Sequence, residues 1–185
     1  MRIAVYGGSF NPPHRAHAMV ARWMIDSHVA DEVWLVPVFQ HAFEGSQDKT
    51  LAPYASRLAW CLVMAEEIGP QIKASDVESK LSVPSYSIDT LNYLSKTHPE
   101  HEFFLVVGAD ILSQVDGWKD WDKIQRDHAP VIVGRPGFPA PPNTPMFPDV
   151  SSTAVRRIIS EGGDVSDLLT PSVAATVLRE NPWQD

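Results

Sequence analysis

A single cysteine, Cys61, occurs in the 185-residue sequence, so an internal disulfide is excluded. Its neighbours Leu58, Ala59, Leu62 and Val63 are mostly apolar, which reads as a buried thiol acting as a small hydrophobe. Long apolar runs are also missing. The first one, residues 3–6, is cut short by Gly7 and Gly8. That leaves neither a signal-peptide core nor the length of a membrane span, and the expected location is the cytoplasm. Positive charge is scarce as well: 15 Lys and Arg against 23 Asp and Glu leave a formal charge of −8. No overall field then draws the chain to nucleic acid or to an anionic membrane, and neither is expected as a partner. Any polyanion must be met by a local cluster of cations.

What is present is an alternation of short apolar runs with longer segments of helical period, the pattern of parallel strands joined by crossover helices. Strands are expected at residues 2–6, 32–38, 72–75, 102–107 and 130–134, and helices at 14–28, 53–68, 87–97 and 118–126. The fold class is α/β, a doubly wound, mostly parallel sheet of Rossmann-like type, in one domain spanning 1–185. Residues 134–148 hold six of the 16 prolines and Gly137, a composition that resists regular structure and reads as a loop over the carboxyl edge of the sheet. Beyond it, Ser151 or Ser152 caps a helix running to about Glu161, which Gly162 and Gly163 stop. Thr170 as N-cap and Pro171 at the first helical position open a last helix.

The first strand runs directly into Gly7-Gly8-Ser9-Phe10-Asn11-Pro12-Pro13-His14-Arg15-Ala16-His17. Open α/β sheets bind ligands at such carboxyl ends. Paired glycines let backbone approach a ligand without a Cβ in the way, and the amides opening the next helix aim free N–H donors at negative charge. His14 and His17 are three apart, so a helix beginning near His14 projects both from its first turn toward one phosphate. The helix N-terminus disfavours an imidazolium and a bound polyphosphate favours it, so the pair is expected to gain charge mainly with ligand present. A zinc site would need a third ligand and a general-base carboxylate at metalloprotease spacing, and no metal ligand is assigned. At the far end of the chain Ser151-Ser152-Thr153 opens a second helix with Arg156 one turn in. Hydroxyls plus a guanidinium suit the other end of a polyphosphate.

These two motifs, in this order, resemble the signature of the nucleotidyltransferase superfamily: a glycine-rich turn leading to His-x-Gly-His, and Ser-Ser-Thr-x-x-Arg near the C-terminus. Within it the chain resembles the bacterial nicotinate-nucleotide adenylyltransferases over residues 1–179. Ala16 stands where glycine is usual, adding a methyl toward the site, and Asn11 where aspartate is usual, removing a charge near the phosphates. The resemblance implies adenylyl transfer from ATP to nicotinate mononucleotide, with Mg²⁺ arriving on ATP. It assigns His14, His17 and Arg156 to catalysis, and Gly7, Gly8, Ser9, Phe10, Gly108, Asp110, Ser151, Ser152 and Thr153 to ATP. The acceptor falls to Ser85, Tyr86, Ser87, Thr90, Trp118, Arg135 and Lys49, with His41 the alternative to Lys49 as the basic residue after the second strand. Asp110 is expected to accept from ribose hydroxyls, and Trp118 to stack on the pyridine ring. Rival readings are an adenylyltransferase for phosphopantetheine or for the amide form of the nucleotide, and a nucleotide-binding sensor without turnover. Nothing in the sequence bears on oligomeric state.

Overall fold

Ile3 and Val5 of the first strand point to one side of the sheet and Ala4 to the other, and all three are buried. Phe103, Leu105 and Val107 oppose Phe104 and Val106 in the same way. Strands apolar on both faces must be covered on both faces, which is the condition of a parallel sheet inside helical layers. In a computed structural model describing residues 1–42 and 51–183, five parallel strands form one sheet: β1 (Arg2–Gly8), β2 (Glu32–Pro37), β3 (Ile72–Ala74), β4 (Glu102–Gly108) and β5 (Val131–Val133). Their order is β3-β2-β1-β4-β5. The direction of winding reverses between β1 and β4, so a crevice opens at the carboxyl ends of those two strands.

One face carries α1 (Arg15–Asp26), α2 (Tyr54–Ile68), α5 (Ser152–Ser160) and α6 (Pro171–Glu180), whose Val20, Met24, Trp60, Cys61, Val155, Ile159, Val173 and Val177 share a core with Leu35 and Phe104. The other carries α3 (Ser87–Thr97) and α4 (Trp121–His128), with Ile88, Leu91, Leu94 and Ile124 against Leu105. Cys61 is fully buried, as its neighbours imply. No helix among the described residues is long and apolar enough to cross a membrane.

The expected boundaries change at His14 and at Trp118. His14 is not inside α1 but is its N-cap, with an extended backbone at φ −137°. The expected helix at 118–126 begins at Trp121 instead. A 3-10 segment, Ala109–Gly117, precedes it, Trp118 is extended, and Asp120 takes the left-handed region at φ 52°, which interrupts any helix through it. The Trp118 ring packs on the α3 and α4 core, so tertiary contact overrides local helical preference. Thr170 occupies the cap of α6 without a side-chain bond to it, and its hydroxyl is buried unpartnered.

Candidate active site

Gly7 and Gly8 end β1, and a Cβ at Gly7 would meet only open space, so this backbone is free to be approached. Gly8 lies against the Phe10 ring, 3.4 Å from where its Cβ would stand. Phe10 itself turns inward at φ 46° and is 1% exposed, which leaves its backbone alone to serve a ligand. Its ring supports the histidines: Phe10 and Tyr6 both meet His17 edge-on, at 4.9 and 5.7 Å. His14 and His17 stack at 3.7 Å, and the His14 backbone N–H donates to His17 Nδ1 at 3.1 Å. With Nδ1 an acceptor, His17 carries its proton on Nε2. Burial, then the charge of Arg135, pushes His14 down to about 3, and burial with its stacked partner holds His17 well below the usual range. Both imidazoles are therefore neutral at pH 7 without ligand.

The start of α5 lies against this turn. Ser151 caps the helix, accepting from the Ala154 N–H at 3.1 Å. The Ser152 hydroxyl donates to the Pro12 carbonyl at 2.9 Å, and Arg156 Nη1 donates to the Asn11 carbonyl at 2.9 Å. Thr153 is exposed beside Arg156 Nη2, 3.4 Å away. Two helix N-termini, separated by some 140 positions, so converge on one edge. Ala16 is 8% exposed, and the buried Asn11 side chain accepts from the Ala52 N–H at 3.0 Å.

Beside the glycine turn, at the crevice between β1 and β4, lies a cavity of about 360 Å³. Ser9, His41, Ser85, Tyr86 and Ser87 border it on one side, and Gly108, Ile111, Gln114 and Trp118 on the other. Its size and largely apolar wall suit a small-molecule ligand. His41 Nε2 meets the Ser9 hydroxyl at 3.1 Å. Tyr86 is the N-cap of α3 and supplies no side-chain cap, so the first amides of that helix retain donor capacity beside the cavity. Among the described residues no group of three or more His, Cys, Asp or Glu is placed to hold a metal ion.

Residues 5–158 match the Cytidylyltransferase-like family. A probable nicotinate-nucleotide adenylyltransferase of Anaeromyxobacter sp. (strain K) is 39% identical over 173 residues, covering 92% of this chain and 90% of the relative. The chain belongs to the nicotinate-nucleotide adenylyltransferase family. Its Myxococcus xanthus relative, a probable enzyme of that activity, is 36% identical over 98% of this chain and 93% of its own. The nicotinic acid mononucleotide adenylyltransferase of Plasmodium falciparum, solved with NaAD, shares the fold at a TM-score of 0.80 and 21% identity, over 98% of this chain and 97% of that one.

Against the site expected of this family, most residues gather at the crevice, with three exceptions. Arg135 stands away from the cavity wall: Nη1 donates to Asp110 at 3.1 Å and Nε to Asp149 at 2.7 Å, close enough to the histidines to depress both. Asp110 stands two residues after Gly108, where a Cβ would meet its carboxylate, so a larger residue at 108 would displace that side chain. Thr90 is 2% exposed and lies behind the lining, its hydroxyl donating to Glu78 Oε1 at 3.2 Å. Lys49 falls outside the described residues, whereas His41 lies on the wall. Sequence reasoning missed Tyr6, Glu78 and Lys119 on the same wall. Lys119 binds Asp89 at 2.7 Å with its ammonium 4.8 Å from the Tyr86 ring centre. Its adjacency to Trp118 was the one available signal.

Proposed function

We propose that this chain transfers the adenylyl group of ATP to nicotinate mononucleotide, releasing pyrophosphate and forming nicotinate adenine dinucleotide for NAD synthesis. The observation that carries this reading is the meeting of the His14–His17 turn with the start of α5, one strand-width from a cavity at the β1/β4 crevice. One end of the site suits a polyphosphate and the other an aromatic nucleotide. The acceptor phosphate is already ionised at neutral pH, so no protein nucleophile is needed. Its oxygen attacks the α-phosphorus of ATP in line, the bond to the bridging oxygen breaks, and pyrophosphate leaves with the electron pair. Alignment of two bound reactants can supply about 7 to 11 kcal/mol of the barrier.

His14 and His17 serve the α-phosphate, where His17 Nε2–H donates without ordering cost. Ser152, Thr153 and Arg156 serve the β- and γ-phosphates, Arg156 through a guanidinium fork that now holds the Asn11 carbonyl. Gly7, Gly8, Gly108 and Asp110 receive the adenosine side. Mg²⁺ comes with ATP and is held by phosphate oxygens and water, supplying charge neutralisation on the leaving group. Trp118 stacks on the pyridine ring, and the amides at the start of α3 meet its carboxylate. Both substrates are water-soluble nucleotides, in keeping with the cytoplasmic location expected from the sequence.

Pyrophosphate release measured with ATP and each of nicotinate mononucleotide, its amide and phosphopantetheine tests the assignment. A charge-assisted bond is worth about 1.5 to 3 kcal/mol, so one or two of them favour the acid by tenfold or more. Phosphopantetheine should be inert. Equal kcat/KM for acid and amide removes the carboxylate argument, turnover of phosphopantetheine changes the acceptor class, and no release with any acceptor leaves a nucleotide binder.

A further inference from the structure

One carboxyl side chain beside the cavity has no part in the transfer just described. Glu78 lies in the 3-10 turn Val77–Lys80, is 8% exposed, and borders the cavity. Its Oε2 accepts the Phe39 N–H at 3.0 Å and its Oε1 the Thr90 hydroxyl at 3.2 Å, and the Ser85 hydroxyl is near enough to bear on its charge. These three groups belong to separate walls: the segment after β2 that leads to His41, α3 itself, and the segment before α3 that leads to Tyr86. The first and last are also tied to each other, with Ser85 N–H donating to the Gln40 carbonyl at 2.8 Å and Gln40 N–H to the Ser85 hydroxyl at 3.2 Å.

A carboxylate on the wall of a cavity for an anionic acceptor repels that acceptor unless donors and a cation neutralise it. Here both conditions are met. Arg57, 1% exposed, stands behind the wall within electrostatic reach of Glu78. It donates to the Ser9 carbonyl at 2.8 Å and to the Ala52 carbonyl at 3.0 Å. Burial holds the Glu78 carboxyl above its ordinary range, and the groups at Phe39, Ser85 and Thr90 with Arg57 offset this only in part. The side chain is thus shaped as an acceptor of bonds from the walls, with its charge satisfied from within the protein.

We infer that Glu78 is a positioning residue for the acceptor, fixing the distance between the His41 segment and the start of α3, with Thr90 acting through it. Resting on the adenylyl-transfer reading above, this assigns Glu78 control of acceptor affinity and not of ATP affinity, because none of its bonds reaches the glycine turn or α5.

Steady-state kinetics of Glu78→Ala, Glu78→Gln and Thr90→Val, with thermal melting of each, test this. Glu78→Ala leaves the Phe39 N–H without its acceptor and cuts the link to Thr90, and should raise the KM for nicotinate mononucleotide by about tenfold or more, with the KM for ATP held within about twofold. Glu78→Gln should recover most of that loss. Its amide oxygen can keep the Phe39 N–H, and its NH₂ can donate to Thr90 and Ser85, whose hydroxyls accept as well as donate. Thr90 then has the Tyr86 carbonyl, 3.4 Å away, for its own proton. Thr90→Val keeps the volume and removes one donor, giving about a threefold rise in acceptor KM. An unchanged acceptor KM in Glu78→Ala overturns the inference, as does a parallel rise in both KM values with a lowered melting temperature, the mark of a merely structural side chain. If Glu78→Ala does not fold, Thr90→Val decides, and an unchanged acceptor KM there overturns it. Wild-type enzyme inactive with nicotinate mononucleotide overturns the adenylyl-transfer reading and this one together, a result visible before any variant is made.

Discussion

Replacing His17 by alanine separates two jobs that one imidazole performs. The side chain caps α1 by accepting the His14 N–H at 3.1 Å, and its Nε2–H is the donor proposed for the α-phosphate. Losing the cap acceptor should cost about 1 kcal/mol of stability. Losing one positioned donor to the charge that develops in the transition state should cost about 2.7 to 4 kcal/mol, or a hundred- to thousandfold in kcat, with KM for ATP changing far less. His17→Gln provides the control, since glutamine at this third helical position can return a side-chain acceptor to the cap N–H. Initial rates of pyrophosphate release at saturating ATP, beside melting curves, give both quantities for both variants. His17→Gln should recover stability while kcat stays depressed. If kcat in His17→Ala equals wild type, or if His17→Gln restores kcat along with stability, the imidazole is a cap and the catalytic reasoning is refuted.

Arg156→Lys should melt within a few degrees of wild type, a change of about 1 kcal/mol or less, since one donor can still reach the Asn11 carbonyl, while kcat/KM for ATP falls. A sharp drop in melting temperature at unchanged kcat/KM would make Arg156 structural. Trp118→Ala should weaken the acid and amide acceptors together by about tenfold, the scale of one aromatic stack, and no effect on either would displace the platform. Ligand-free stability should fall with acidification. His14 titrates near 3 and His17 well below 6.5 in the fold, whereas both return to about 6.5 on unfolding, so the unfolded state takes up protons that the native state refuses. The loss begins below pH 6.5, reaches about 1.4 kcal/mol per pH unit for each histidine, and is absent above pH 7. His14→Asn should reduce the slope between pH 5 and 6 in denaturant melts, and an unchanged slope would show that His14 is protonated in the native protein.

The sheet was legible because strands buried on both faces need near-continuous apolar runs, and 2–6, 32–38 and 102–107 leave no other reading. The two phosphate motifs were legible for a chemical reason: glycines, hydroxyls and a guanidinium at helix starts have few other uses in that combination. Trp118 was harder. Its segment has helical composition, and the extended backbone it adopts follows from where its ring packs, a contact with α3 and α4 that no local pattern encodes. Glu78 was invisible for a related reason. Residues 76–80 carry no motif, and the partners of Glu78, Phe39 and Thr90, stand 39 positions before it and 12 after it. Arg135 was assigned to the acceptor by the family resemblance alone, and no local pattern in the sequence shows that Asp110 and Asp149 bind it.

All five strands and the lining of the cavity lie within the first 133 residues, and Ser152 and Arg156 bring their bonds to the Pro12 and Asn11 carbonyls from 140 and 145 positions further along the chain. The same stretch brings Val155 and Ile159, and α6 then adds Val173 and Val177, to close the apolar face over Leu35 and Phe104. During synthesis, then, the covering of that face and the completion of the proposed triphosphate site come together, at a late and non-local step. A nascent chain paused before α5 carries the cavity without that proposed site, and an apolar face still open for chaperones to find.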